Sequence, residues 1–255
     1  MVIVMDFKEN IRLPLSSRQT SRMFYHQQQV SCLGFVCYFE GEKGKIIQKN
    51  INFTSECLNH DSVYVIDCLD YLLRKMKDYR QITIWTDCGP HFRNKHLLSF
   101  LLHDLPQRNF HVDVNYFGES HGKNQCDIHF SVISRQLQEI SQVKDINNVS
   151  ELMLAMNDLN TRKESQAKLT DTDHIHRIFV GYHPNKYPLF KKEMNFVGVK
   201  HDLCFVSHPD GFAVKQHRKE TKESVFNIKT KCETERKKKT ENQQGLCHEI
   251  NVHTR

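Results

Sequence analysis

Gln81-Ile-Thr-Ile-Trp-Thr-Asp-Cys-Gly-Pro-His-Phe-Arg-Asn94 is the stretch whose reading decides the fold. Its first six residues are dominated by β-branched and aromatic side chains, which predicts a short strand. Asp87 stands at the C-terminal end of that strand, and Cys88-Gly89-Pro90 has turn chemistry. Asn94 to His103 predicts a helix with Leu97, Leu98, Leu101 and Leu102 on its buried side and Pro106 as its stop. Phe110 to Phe117 alternates apolar and polar residues and predicts the next strand. Strand, turn, helix and strand in that order describe a parallel crossover, so this part of the chain reads as α/β.

Upstream, Val2 to Met5 predicts a short buried strand ending at Asp6, followed by a polar connection from Lys8 to Gln29. Val30 to Phe39 predicts a second strand, Gly41-Glu-Lys-Gly44 a hairpin turn, and Lys45 to Thr54 a third strand with Ile47, Ile51 and Phe53 on one face and Lys49 out of pattern. Asp61 to Tyr79 carries Val65, Ile66, Leu69, Leu72, Leu73 and Met76 at amphipathic helical spacing. Downstream, Asp127 to Ile140 predicts a helix with Ile133, Leu137 and Ile140 in its stripe. The order β-β-β-α-β-α-β-α places antiparallel strands first and parallel crossovers after them.

Beyond Ser150 the pattern weakens. Glu151 to Leu159 predicts a helix, and Ile175 to Tyr182 and Phe196 to Ser207 predict strands. From Lys215 onward the chain is charged and poor in apolar anchors, which is the composition of a disordered tail. The domain reading is therefore a core over 1–148, a small α+β appendage or insertion remnant over 149–214, and a basic tail over 215–255.

Of the 255 residues, 36 are Lys or Arg and 30 are Asp or Glu, giving a net charge of +6. Residues 211–255 hold 11 of those basic and 6 of those acidic residues, so the body is nearly neutral and the excess sits in the tail. A basic tail fits phosphate contact or a solvated end equally. Arg236-Lys-Lys-Lys239 within it fits a nuclear-import or DNA-contacting cluster, or plain solvation. The apolar runs Val30–Phe39 and Leu97–Leu102 fall well short of the roughly 20 residues a membrane span needs. The short apolar start lacks the form of a secretory signal, so an intracellular protein is expected. Nine scattered cysteines without a Cys-x-x-Cys pair read as reduced thiols. Cys126 and His129 form a Cys-x-x-His, but a second half for a zinc site is missing from the sequence, which favours local packing.

The acids carry the chemical reading. Asp6 and Asp87 each follow an apolar strand, so both carboxylates are expected at one edge of a sheet if strands 1 and 4 are parallel neighbours, where open sheets bind ligands. Two such carboxylates repel unless a cation lies between them, and hard oxygen donors suit Mg²⁺ or Mn²⁺. A third acid would complete a two-ion site for phosphoryl transfer. Asp127, at the start of the helix after strand 5, is the candidate, with Glu119 and Glu139 as competitors. Set against this is the plainer reading of an α/β domain in which Asp6 or Asp127 caps a turn or helix.

At these residues the chain resembles the RNase H-like core of DDE/D transposases and retroviral integrases. Thr86-Asp87-Cys88-Gly89-Pro90-His91-Phe92 is similar to the integrase segment Thr-Asp-Asn-Gly-Pro-x-Phe around the second catalytic Asp, with Cys88 in place of Asn. Met5 to Ile11 and Phe117 to Phe130 look like segments of Mutator-like and allied eukaryotic cut-and-paste transposases, and Cys126-Asp-Ile-His129 matches their (Cys/Asp)-x-x-His signature. The resemblance covers about residues 1–140. It implies an RNase H-like mixed sheet, Mg²⁺ or Mn²⁺ held by Asp6, Asp87 and a third acid, DNA strand cleavage and joining, and a nuclear location. By the signature, the third acid would lie beyond it, at Glu139, Glu151 or Glu164, in competition with Asp127. Such transposases carry a DNA-binding module ahead of this core and commonly act as oligomers. A core starting near Met1 therefore suggests a truncated or domesticated form, or DNA recognition through the C-terminal part or a partner. The alternative from another class is a catalytically silent derivative that binds DNA or protein. His91, Arg93, Lys95, His121 and Lys123 would flank the acids and suit contact with a DNA backbone. Trp85, inside a strand, reads as core.

Overall fold

The first strand outruns its apolar head. In the computed structural model β1 spans Val2–Leu13, so Asp6 lies inside the strand and not at its end, and the expected polar connection begins only after Leu13. The reason lies in its partner. β2 (Gln28–Glu40) is one residue longer, and the antiparallel ladder runs from Val2↔Tyr38 to Leu13↔Gln28, with an irregularity between Lys8 and Ile11, beyond which Ile11 and Leu13 are buried. Polar residues are tolerated in a strand wherever one face stays solvated.

The structure describes residues 1–18, 20–21, 25–41, 44–76, 78–118, 124–167, 176–181, 204–208, 211–215, 224–226 and 253–254. It is a mixed α/β protein whose chain divides into two units, residues 1–60 with 123–186, and residues 61–122 with 187–255. Among the described residues, no helix is long and apolar enough to cross a membrane.

In the first unit β3 (Ile46–Ser55) pairs antiparallel with β2, and the turn between them closes through Gly41 N–H to Lys45 O at 2.7 Å. Lys49, the residue out of pattern, lays its Nζ over the Phe39 ring at 5.5 Å, so its stem covers apolar surface while its charge stays outside. β6 (His176–Gly181) adds in parallel beside β3, giving the order β1-β2-β3-β6. Helix α4 (Gln125–Ser141) packs on β1 and β2, and α5 (Val149–Ala167) on β3 and β6. Ile133 and Leu137 of α4, and Leu152 and Met156 of α5, are buried in this unit with Ile3, Met5, Leu33 and Phe35. Each such side chain contributes roughly 1.5–3 kcal/mol of burial.

In the second unit α1 (Ser62–Lys75) starts from Asp61, whose carboxylate accepts the Tyr64 N–H at 2.9 Å. β4 (Gln81–Thr86) and β5 (His111–Tyr116) pair in parallel, as the crossover reading requires. Between them α2 (Lys95–Ser99) passes into a π-helical turn (Phe100–Asp104) and then α3 (Leu105–Gln107). Pro106 therefore sits in the last turn and does not stop the helix earlier. The Leu105 N–H already bonds to Phe100 O, so the ladder has shifted before the missing proline donor is reached. The wider turn also lets Leu97, Leu98, Phe100, Leu101, Leu102 and Leu105 all be buried. β7 (Cys204–His208) pairs antiparallel with β5, and β8 (Gly211–Lys215), β9 (Ser224–Phe226) and β10 (His253–Thr254) follow in order. The segment 149–214 thus divides between the units, and two strands fall within 215–255. The rest of that tail, including Arg236–Lys239, lies outside the described residues.

Candidate functional site

The acids fall in both units, so each group is built separately. In the first unit the central residue is Asn124, the N-cap of α4. Its side-chain oxygen accepts from Cys126 N–H at 2.7 Å and Asp127 N–H at 3.1 Å, while its own N–H donates to Asp127 Oδ2 at 2.9 Å. This reciprocal capping box satisfies donors that the first helical turn would otherwise leave bare. The remaining group of the Asn124 side chain, Nδ2, donates to Asp6 Oδ2 at 3.1 Å. Asp6 Oδ1 accepts the Phe7 N–H at 2.8 Å, so both oxygens of Asp6 are oriented. Asp127, the candidate third acid, has one oxygen engaged in the cap.

The Cys-x-x-His of this helix faces the sheet. Cys126 Sγ donates to Val4 O at 3.3 Å, and burial together with the neighbouring Asp6 carboxylate holds its thiol well above the ordinary cysteine range. His129 is buried between two asparagines of β3. Asn50 Nδ2 lies 3.1 Å from His129 Nδ1, and His129 Nε2 lies 2.9 Å from Asn52 Oδ1. With the amides in these orientations, Nδ1 is placed to accept from Asn50 and Nε2 to donate to Asn52, so both ring nitrogens have a partner. Sequence reasoning missed both Asn124 and this asparagine pair. Asn124-Gln-Cys-Asp127 has capping-box spacing, and polar residues at 50 and 52 share one strand face, so both signals were present.

In the second unit Asp87 follows β4 directly. Its Oδ1 accepts the Gly89 N–H at 2.8 Å, and His91 Nε2 lies 3.9 Å from the same oxygen. The carboxyl side chain is 42% exposed, so it is anchored yet open to solvent. Phe92 and Arg93 N–H both bond to Gly89 O, and Asn94 caps α2 through Leu97 N–H while its Nδ2 donates to Pro90 O and His91 O. Arg93 donates to Cys88 Sγ at 3.3 Å and lies over the Tyr116 ring at 5.2 Å. Cys88 Sγ also donates to Phe117 O at 3.3 Å, so it ties this turn to the end of β5. Tyr116 donates to the carbonyl of the buried Phe92. Trp85 stacks on Phe117 with ring centroids 5.3 Å apart.

Of the expected backbone contacts, His91, Arg93 and Lys95 belong to this turn and to the start of α2, and all three are half-buried. His121, Lys123 and the competitor Glu119 lie outside the described residues, as does the side chain of Glu164. Glu139 is exposed on α4. Glu151 is spent on α5: its carboxylate accepts from Asn147 N–H at 2.8 Å and from both the Asn147 and Asn148 side chains. Among the described residues, no group of three or more His, Cys, Asp or Glu side chains is gathered as metal ligands.

A protein-family model described as "Domain of unknown function (DUF8701)" matches residues 1–176. The chain belongs to the DUF8701 family. The DUF8701 match runs from β1 through α5 and takes in Asp6, Asp87 and Asp127. No curated protein and no solved structure matches the chain.

Proposed function

We propose that this chain is an RNase H-like, DDE/D-type transposase-like enzyme that cleaves and joins DNA strands, with Mg²⁺ or Mn²⁺ held by Asp6, Asp87 and Asp127. The observation that carries the reading is Asp87 itself, a carboxylate at the end of a strand, immobilised by the Gly89 N–H and left 42% exposed. Asp6 adds a second carboxylate whose oxygens are both oriented by N–H donors. The donor chemistry suits a hard cation, and one capping bond leaves Asp127 further lone pairs for ligation. When bound, such ions would polarise a phosphodiester oxygen and lower the pKa of a water. The chain's own residues would orient the DNA: His91, Arg93 and Lys95 beside Asp87, with His121 and Lys123 from the sequence ahead of α4, are suited to a scissile phosphate or the strand around it. The reaction is attack of water on a phosphodiester, leaving a 5′-phosphate and a free 3′-hydroxyl, which then attacks a phosphodiester of a second strand and displaces that strand's own 3′-hydroxyl. DNA as partner implies a nuclear location.

A second reading is favoured by the capping box. If Asp127 serves only the helix, the chain is a silent derivative that binds DNA or protein. Both readings are tested by assaying wild type and Asp87→Asn for cleavage and joining of duplex and branched DNA with Mg²⁺ and with Mn²⁺. Asparagine keeps the acceptor for Gly89 and removes the charge. Activity in the wild type, lost in the variant, is expected. Equal activity in both sinks the catalytic assignment, and inactivity of both with retained DNA binding favours the silent form.

A further inference from the structure

A second cluster of charge lies in the second unit, at the start of β4 and not at its Asp87 end. Asp70 of α1 is buried and accepts from two guanidiniums, Arg74 Nη2 at 2.6 Å and Arg108 Nη1 at 2.6 Å. Arg80, just before β4, donates to the carbonyl of Arg108 at 3.2 Å. The guanidiniums of Arg80 and Arg108 both lie on the ring of Phe110, at 5.1 and 5.8 Å. Two guanidiniums therefore share the Asp70 carboxylate, and Arg80 stands beside Arg108 on the same ring, where among the described residues no carboxylate pairs with it. Arg74 and Arg80 are exposed, as are Lys75 beside Arg74 and His111, whose N–H bonds to Arg80 O.

Mobile counterions balance exposed cations of this kind, and a polyanion that displaces them gains the free energy of their release. The single carboxylate has both oxygens occupied, and the C-terminal dipole of α1 offsets only the cations in its own last turn. Guanidiniums held on an aromatic ring are pre-organised, planar and weakly hydrated, the form that suits phosphate oxygens. One phosphate is satisfied by one or two of them. Cations spread over a helix end and two adjacent strand starts call for successive phosphates, and a nucleic-acid strand supplies one about every 3.4 Å. We propose that Arg74, Lys75, Arg80 and Arg108 form a docking surface for a nucleic-acid backbone, roughly 20 Å from Asp87 along β4 at about 3.3 Å per residue. The surface requires neither metal nor catalysis. Only the choice of DNA as the probe rests on the proposed function.

The test is binding of a fluorescein-labelled 30-base-pair duplex to the full chain in EDTA, measured by anisotropy over a range of salt. Arg74→Gln with Arg80→Gln removes two exposed cations while leaving Arg108 on Asp70. The expected result is a salt slope smaller in magnitude by about 1.8, at about 0.9 per cation, with affinity at 0.1 M salt down at least about tenfold. Unchanged slope and affinity overturn the proposal. Complete displacement of the duplex by 5 mM inorganic phosphate at constant ionic strength also overturns it, by showing a single-phosphate site. If circular dichroism shows the double variant unfolded, acetylation of Lys75 in the wild type decides: protection by the duplex supports the surface, and equal modification with and without DNA rejects it. Because no divalent ion is present, loss of cleavage in Asp87→Asn leaves this result untouched.

Discussion

Asn124 uses its backbone N–H and both ends of its side chain, and the two functions separate by substitution. Asn124→Ala removes the cap and the donor to Asp6, and a loss of about 1–2 kcal/mol is expected in urea unfolding. Asn124→Asp keeps a capping oxygen but sets a second carboxylate where the amide stood, 3.1 Å from Asp6 Oδ2. Like charges raise a carboxyl pKa in the folded state, so the folded protein binds more protons than the unfolded chain. The stability of this variant relative to wild type is therefore expected to rise as pH falls from 7 to 5, and a flat difference would show that the two groups do not face each other. Gly89 is held by space: a Cβ there would stand 2.8 Å from the His91 ring and 2.9 Å from Asp87 Oδ1. Asp87 was legible because strand, Asp and Gly-Pro turn are all local in sequence. The tie between Asn124 and Asp6 was not, because the two residues lie 118 positions apart and an asparagine before a helix already has a sufficient reason to be there.

Close approach of α4 to β2 depends on Gly34. A Cβ at that position would come within 2.5 Å of the Phe130 ring, so the strand lacks a side chain where the helix has an aromatic one. Gly34→Ala is expected to lift the helix and cost about 1–3 kcal/mol in urea unfolding. At the other helix of this unit, acceptance of the Asn147 N–H holds the Glu151 carboxyl below its ordinary 4.5. A depressed acid stabilises the fold above its unfolded pKa and loses that effect as pH falls through the folded one. The protection factors of amides in the first turn of α5, taken relative to the intrinsic exchange rate at each pH, are therefore expected to fall below about pH 4.5, and Glu151→Gln should remove that pH dependence. Periodicity found the strands and helices because each buries one face. It cut β1 short at Asp6, since pairing with a β2 of similar length sustains polar residues that a period-two pattern cannot recognise, and it ended at His103 a helical run that continues to Gln107, since a π turn is invisible to a 3.6-residue stripe.

Across the molecule, the seven described cysteines are free thiols, of which Cys57 and Cys88 alone are partly accessible. Burial pushes Cys32 and Cys37 up to about 12. Peptide-level mapping of maleimide modification at pH 7.5 should find Cys57 and Cys88 modified before Cys32, Cys37, Cys68, Cys126 and Cys204, which should react only on unfolding. The division into units was beyond the sequence reading, which cut the chain at single points, whereas each unit is assembled from two separated segments. No single cut in sequence can mark such a division, because the chain leaves one unit and later returns to it. This threading has a consequence for biosynthesis. The residues of β1 and β2 leave the ribosome ahead of α4, the helix that covers them, which begins only after residues 61–122 have been made. At about 5–20 residues per second that interval is roughly 3–12 s. For that time the apolar run from Val30 to Val36 has no native cover, which makes the nascent chain a natural client for a holdase.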